Sequence, residues 1–278
     1  MPNYAPIHLT INDKPRAILD GMQQLQARKL QGDQIYSRRR RAPLFLFLAG
    51  FPFVCLDLGL MALGYRVVLF SLAMPAFWLA ALVVWVMLRR ARLAEFDPRF
   101  QLAGEVVQAL RDDLDPGRNF FGHLDLTGVR QPQKVARETQ DALQRTTLHY
   151  RDEWLNLKTR LYDGNMLRLS LVRREKVRKS FLKRSRISGK MKMKPEKYKG
   201  SLQELKLRIS VNPEVYDYQQ TRFMRLHAPV GKFVIEAFDI SGGGVSLVAR
   251  SDSDALVSGD ILQVLQAAYN QLTRKAAA

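Results

Sequence analysis

The sequence predicts an α+β protein in which an N-terminal transmembrane helical hairpin precedes a soluble antiparallel β-sheet domain flanked by helices. Two long apolar runs, residues 44–63 and 67–88, indicate the hairpin. Apolar and polar residues alternate after residue 120, which is typical of strands with one buried face, and apolar stripes at helical spacing stand before and after this region. The predicted organisation is a cytoplasmic tail and amphipathic helix (1–41), a transmembrane hairpin (42–92) and a cytoplasmic α+β domain (93–278).

Both apolar runs are long enough to cross a membrane. A spanning helix needs about 20 apolar residues, and the runs contain 20 and 22. They meet at Gly64-Tyr65-Arg66, which predicts a short turn. A cleaved signal peptide does not fit, because the arginine cluster that begins at Arg38 lies some 40 residues into the chain and the apolar region is long enough to cross twice. One span followed by a re-entrant segment is the alternative.

Basic residues at the outer ends of the two runs predict the orientation. Lys and Arg near the ends of a span favour the cytoplasmic side, and the turn between the runs holds only Arg66. Both termini are therefore predicted to be cytoplasmic, at a bacterial inner membrane. The topology determinants are Arg38, Arg39, Arg40, Arg41, Arg89, Arg90 and Arg92.

The polar content of the hairpin is small. Its only acid is Asp57, which is interpreted either as a proton, ion or helix-pairing site or, preferably, as a hydrated residue near the outer end of its span. Cys55, the single cysteine, excludes a disulfide framework and a cysteine-rich metal site. The formal net charge of +18 favours anionic partners: lipid head groups, nucleic acid or acidic proteins.

Capping signals predict three helices outside the hairpin. Residues 1–12 read as a loose tail, after which Asp13 and Pro15 begin an amphipathic helix over 14–31. Asp97-Pro98 begins a second helix that runs to about residue 113. Ser258 is the expected cap of a last helix.

Alternating segments predict the strands of the soluble domain. Residues 149–161 and 166–172 flank Asp163-Gly164, a dipeptide typical of a hairpin turn. Residues 128–145 are polar and give no clear assignment. Further strands are predicted at 121–127, 205–211, 222–226, 232–238 and 245–249.

The most unusual soluble segment is a basic run over residues 173–199, with 13 Lys or Arg and only two acids. Three interpretations stay open: a loop that binds anionic lipid, a site for nucleic acid or an acidic partner, and a solvated hairpin extension whose charge prevents aggregation. The candidate anionic-surface residues are Arg173, Arg174, Lys176, Arg178, Lys179, Lys183, Arg184, Arg186, Lys190, Lys192 and Lys194.

No motif predicts a catalytic, cofactor-binding or metal-binding residue. His123 and Asp125 would share one strand face, but no second cluster supplies further metal ligands. His149 with Asp152 and Glu153 meets the same objection. Gly242-Gly243-Gly244 joins two predicted strands, whereas phosphate-binding glycine loops precede a helix. The sequence therefore favours a protein that is not an enzyme and has no cofactor.

Trp154 begins the predicted hairpin, and residues 152–171 resemble a soluble domain of uncharacterised bacterial membrane-anchored proteins. That resemblance implies no activity and no site. The expected function is binding or scaffolding by an integral membrane protein at an anionic membrane surface, with a protein partner or a second copy as a further partner. The alternatives are a membrane-tethered nucleic-acid-binding protein and an accessory subunit of a transport or envelope complex.

Overall fold

The computed structural model describes residues 6–39, 41–49, 51–52, 55, 62, 73–91, 96–114, 117–185, 189–217, 224–241 and 243–275. The chain forms two compact units. The first, the helical unit, lies within residues 21–95. The second, the sheet unit, combines residues before 21 with those after 95.

Five α-helices are present in the described residues. They are α1 (Pro15–Arg39), α2 (Ala42–Ala49), α3 (Ala73–Ala91), α4 (Pro98–Leu110) and α5 (Ser258–Tyr269). Helix α4 begins as predicted: the Asp97 carboxylate accepts a hydrogen bond from the backbone N–H of Arg99 at 3.0 Å. Helix α5 departs slightly, because Ser258 is its first residue and Val257 is the cap.

The strands of the sheet unit are more numerous than predicted. They are β1 (His8–Asp13), β2 (Phe120–Asp125), β3 (Val135–Gln140), β4 (Thr146–Arg160), β5 (Met166–Arg178), β6 (Phe181–Arg184), β7 (Met191–Lys194), β8 (Lys197–Ser210), β9 (Tyr216–Asp217), β10 (Pro229–Val230), β11 (Phe233–Ser241), β12 (Gly244–Ser251) and β13 (Thr273–Arg274). The β4–β5 hairpin confirms the prediction made from Asp163-Gly164.

Nine of these strands form one antiparallel sheet in the described part of the chain, which confirms the mixed α+β class. Its order is β1-β2-β4-β5-β8-β12-β11-β10, with β3 paired to β4 beyond the end of β2. Strands β6 and β7 form a separate two-stranded ribbon, and β9 pairs with β13. Helices flank the sheet in sequence as expected, with α4 before most of its strands and α5 after them.

The core lies on one face of this sheet. Alternate residues of the central strands are buried, among them Leu157, Leu169 and Leu207. The apolar sides of α4 and α5 are buried as well, and the two helices contact each other. Trp154 is completely buried, so this aromatic residue is a core anchor. The intervening residues of the strands make up the opposite face, which we call the open face.

Two predictions about local structure are wrong. Residues 8–12 are not a loose tail, because β1 pairs with β2 from His8↔Asp125 to Asp13↔Phe120. The predicted strand at 222–226 is absent at residues 224–226, while 222 and 223 lie outside the described residues. Helix α1 is longer than predicted and continues to Arg39.

Part of the predicted hairpin lies outside the described residues, including Asp57 and the Gly64-Tyr65-Arg66 turn. No helix in the described part of the chain is both long and apolar enough to cross a membrane. Within the helical unit, α2 and α3 pack together, with the rings of Phe47 and Trp78 stacked 5.1 Å apart. Both helices carry exposed apolar side chains, such as Phe45 and Leu82.

Candidate functional site

The basic run lies at one end of the sheet unit. Strand β5 leaves the β4–β5 turn at the other end and pairs with β8 as far as Arg178↔Lys197. Beyond this pair the chain continues into the β6–β7 ribbon, which we call the basic ribbon (181–194). The sheet thus carries a cationic extension at the end away from Asp163-Gly164.

The basic ribbon has two chemically different faces. Its register pairs Phe181 with Lys194, Lys183 with Lys192, Leu182 with Met193 and Arg184 with Met191. Directly opposed residues of an antiparallel pair share a face, and successive residues alternate. One face therefore carries Lys183, Lys192, Lys194 and Phe181, and the other carries Leu182, Met191, Met193 and Arg184.

The apolar face of the ribbon is uncovered in the sheet unit. Leu182, Met191 and Met193 are 62%, 59% and 67% exposed. Three large apolar side chains in one patch on a short ribbon are unusual for a surface that meets only water. The cationic face is unneutralised: no carboxylate of the described residues lies within ion-pair distance of Lys183, Lys192 or Lys194.

The residues at the base of the run are engaged within the sheet. Arg173 contacts the buried carboxylate of Glu175 at 2.8 Å, and Arg174 contacts that of Glu204 at 2.6 Å. These two arginines therefore neutralise buried acids within the sheet.

The middle of the run supports the ribbon. The Arg178 guanidinium lies 5.0 Å from the ring centroid of Phe181, and Lys179 forms an ion pair with Glu138 at 3.3 Å. Lys176 is exposed. Burial lowers the pKa of His149, and the charges of Lys176 and Arg137 lower it further. Lys176 therefore presents an exposed cation in a stretch whose other cations are partly paired.

The remaining predicted residues are distributed as follows. Lys190 is exposed, Arg184 donates a hydrogen bond to the carbonyl of Gly189, and Arg186 lies outside the described residues.

Among the topology determinants, Arg38 and Arg39 form the last turn of α1. Arg41 is described just before α2, whereas Arg40 and Arg92 are not described. The backbone of Arg89 and Arg90 belongs to α3.

A buried charge cluster was missed at the sequence level. Asp152 is fully buried, and its carboxylate contacts Lys134 at 2.6 Å and Arg99 at 3.3 Å. Lys134 also contacts Asp125 at 2.9 Å, and Arg99 contacts Asp97 at 2.6 Å. No spacing rule predicts this cluster, because its members come from four separate segments.

The residues of the histidine and glycine motifs singled out in the sequence take part in hydrogen bonds, an ion pair and a turn of the sheet unit. Nε2 of His123 lies 3.2 Å from the backbone carbonyl of Glu153, while Asp125 is bound by Lys134 and Thr127. In the residues that the structure describes, no three His, Cys, Asp or Glu side chains converge as metal ligands. Gly243 lies in the β11–β12 turn, Gly244 is the first residue of β12, and Gly242 is not described.

A scan against models of known protein families finds no match, and searches of curated proteins and of solved structures find none either. The function of this chain therefore has to be argued from its own geometry.

Proposed function

We propose that this chain is an integral membrane protein of the bacterial inner membrane whose sheet unit acts as a binding or scaffolding module at the anionic cytoplasmic surface. The observation that carries this proposal is the division of the basic ribbon into an exposed apolar face and an unneutralised cationic face. Such an element can insert its apolar side chains at the boundary between head groups and acyl chains while its lysines contact anionic head groups.

The pairing of β1 with β2 supports a two-span anchor. Strand β1 precedes the apolar region and β2 follows it, yet the two are hydrogen-bonded neighbours in one sheet. An even number of crossings returns a chain to the side on which it entered, so this pairing supports the two-span anchor that we propose. The exposed apolar side chains of α2 and α3 suit a lipid environment.

Lipid is favoured over nucleic acid as the partner of the basic ribbon, because exposed apolar side chains accompany its positive charge and several aromatic rings do not. Each Lys or Arg near an anionic membrane gains about 1 kcal/mol, and Leu182 and the two methionines add apolar insertion. A single-strand-binding site would instead place several aromatic rings among the cations. The ribbon offers only Phe181, whose ring already lies against Arg178.

The topology is tested by cysteine labelling in intact cells. In a Cys55→Ser background, cysteine is placed separately at Gln24, Ala255 and Tyr65. A membrane-impermeant maleimide applied from outside is expected to label only the Tyr65→Cys variant, and all three after permeabilisation. Labelling of Gln24→Cys or Ala255→Cys from outside, or of no variant without permeabilisation, contradicts the two-span cytoplasmic topology.

The lipid contact is tested with the full chain in nanodiscs. An environment-sensitive fluorophore is attached at Leu182→Cys or, as the matched control, at Tyr162→Cys, which is 81% exposed at the opposite end of the sheet. Phosphatidylglycerol in the discs is expected to blue-shift only the Leu182 probe, and added salt to reverse the shift. Equal spectra in neutral and anionic discs contradict lipid binding, and a shift produced only by added oligonucleotide favours the nucleic-acid alternative.

A further inference from the structure

The open face of the sheet carries a second cationic surface, which is separate from the basic ribbon. Lys158, Arg168 and Arg208 lie directly opposite one another on the adjacent strands β4, β5 and β8. Each is flanked along its strand by buried residues, so all three side chains belong to the open face. We call these three residues the cation row. Phe121 of β2, opposite Lys158, extends the row by an aromatic ring.

The cation row is not neutralised within the described residues. No carboxylate there lies within 4 Å of Lys158, Arg168 or Arg208. Acids of the open face have other partners: Glu153 accepts hydrogen bonds from Ser170 and Asn156, and Glu204 contacts Arg174 and Lys206. Asp239, which lies two strands from Arg208 in the same row, accepts a hydrogen bond from Ser241. Like charges placed directly opposite each other destabilise a sheet, so folding alone gives no reason for this arrangement.

A cavity adjoins the row at its β2 end. Its volume is about 430 Å³, and it is lined by Gly117, Arg118, Asn119, Phe121, Lys158, Thr159, Arg160 and Met166. Three of these residues are cationic and none is acidic. Phe121, which is 49% exposed, and Met166 give the cavity an apolar part. The volume is within the range of small-molecule sites.

We propose that the cation row and this cavity bind a nucleoside diphosphate or triphosphate. The base and sugar occupy the cavity against Phe121 and Met166, and the phosphates lie along Lys158, Arg168 and Arg208. Aromatic rings stack on nucleobases of any sequence, and arginine forks bind phosphate oxygens in pairs. The site is independent of the anionic-surface function, because it shares no residue with the basic ribbon.

The geometry favours a single nucleotide over a nucleic acid strand. One exposed ring and one adjoining cavity provide room for one base, whereas strand-binding surfaces present successive stacking positions. The neighbouring row of the open face, His123, Asn156, Ser170 and Lys206, carries no further aromatic phenyl or indole ring. Preferential binding of a nucleic acid strand is therefore one of the outcomes that the following experiment can detect.

The test measures binding of a fluorescent ATP analogue to the full chain in detergent, with competition by ATP, adenosine, pyrophosphate and a single-stranded oligonucleotide. Saturable binding is expected, with ATP competing better than pyrophosphate and adenosine competing least. Absence of saturable binding, or stronger competition by the oligonucleotide at equal phosphate concentration, overturns the proposal.

Variants localise the site. Arg168→Gln and Arg208→Gln are each expected to weaken ATP binding tenfold or more, and Phe121→Ala to weaken ATP binding without changing pyrophosphate binding. Lys183→Gln in the basic ribbon is the charge-matched control and is expected to leave binding unchanged. Since the arginine variants remove like-charge contacts, their melting temperatures are expected to stay at or above that of the parent protein. An equal loss of binding in the Lys183 control, or unchanged binding in both arginine variants, contradicts the assignment.

Discussion

Nζ of Lys134 lies 2.6 Å from Oδ1 of Asp152, a carboxylate with no exposed surface. The other oxygen of Asp152 faces Arg99 at 3.3 Å. Arg99 belongs to the first turn of α4 and Lys134 to a short 3-10 turn before β3, whereas Asp152 lies in β4. One buried carboxylate therefore joins the helix and the turn to the central part of the sheet.

Asp152→Ala is expected to destabilise the sheet unit strongly. The substitution leaves the side chains of Lys134 and Arg99, which are only 10% and 12% exposed, without their shared counterion. Removing one partner of a buried ion pair costs about 3–5 kcal/mol. The free energy of unfolding, followed by tryptophan fluorescence in urea, measures the loss.

The control for this prediction is Asp254→Ala. Asp254 forms an ion pair with Arg173 at 3.4 Å, but its side chain is 58% exposed. An exposed pair contributes about 0–1 kcal/mol, so this variant is expected to unfold almost like the parent. Similar losses in both variants would show that burial of Asp152 has no special role.

The ionised carboxylate of Asp125 is expected to stabilise the protein, and low pH is expected to remove this contribution. Burial by itself raises the pKa of this carboxyl, but hydrogen bonds from Thr127 and Lys134 outweigh burial and lower it from 3.8 to about 2. A carboxyl whose pKa is lowered on folding stabilises the protein above the pKa of the unfolded chain. That contribution is expected to disappear as the pH falls from 3.8 to about 2.

Melting temperatures of the parent protein and of Asp125→Asn between pH 6 and pH 2 measure this contribution. The parent is expected to be the more stable at pH 6, and the difference is expected to shrink below about pH 4, since the parent carboxylate then becomes protonated. A difference that does not depend on pH would mean that ionisation of Asp125 contributes nothing.

Local patterns made parts of this fold predictable. The β4–β5 hairpin follows from alternation on both sides of Asp163-Gly164, and α4 begins where Asp97 and Pro98 predict. The basic ribbon was recognisable by its charge and by the alternation of residues 190–194. In each case neighbouring residues in the sequence contain the information, because the turn, the cap or the strand period is local.

Pairing between segments that lie far apart in the sequence was not predictable. Strand β1 is an edge strand with one buried residue, Ile11, and its partner β2 comes after the whole apolar region. Strand β3 lacks alternation because five of its residues are polar or alanine and none of its side chains is buried. Arg99 and Asp152 are 53 residues apart, so only the folded chain brings them together.

Gly122→Ala is expected to disrupt the pairing of β2 with β4. A Cβ at this position would lie 1.9 Å from the backbone oxygen of Asn156, and φ is +150°. The two strands would have to separate, and we expect the free energy of unfolding to fall by about 2 kcal/mol or more, toward the upper end of the range of about 0.5–3 kcal/mol that most destabilising substitutions show.

The matched control is Gly259→Ala in α5, where a Cβ would meet no atom within 4 Å. Alanine in a helix is favoured over glycine by about 1 kcal/mol, so this variant is expected to be as stable as the parent or slightly more so. Chemical unfolding of both variants decides between a steric effect at Gly122 and a general effect of replacing glycine.

Ile11→Ala tests whether the N-terminal segment is part of the sheet unit. Ile11 is 7% exposed, and shortening a buried Ile to Ala costs about 2–5 kcal/mol. Thr10→Ala, at an exposed neighbour in the same strand, is expected to change stability by less than about 0.5 kcal/mol. Equal stability of the two variants would mean that β1 does not contribute to the core.

Lys183→Glu separates folding of the basic ribbon from its binding to anionic lipid. Lys183 faces Lys192 directly across β6 and β7. The substitution replaces a like-charge pair by an opposite-charge pair, which stabilises such a contact by about 0.2–1 kcal/mol. It also lowers the charge of the cationic face by two. We therefore expect hydrogen exchange in the ribbon to slow while the lipid-dependent blue shift of the Leu182 probe decreases.

Arg225→Glu makes the same change of charge at an exposed position outside the ribbon. If only the net charge of the protein mattered, both variants would lose lipid contact equally, because long-range attraction depends on total charge. If the apolar face of the ribbon alone were responsible, neither would lose it. The third outcome is that only Lys183→Glu loses lipid contact, although its ribbon is better ordered than in the parent. That outcome would mean that the lysines of the cationic face themselves contact the lipid head groups.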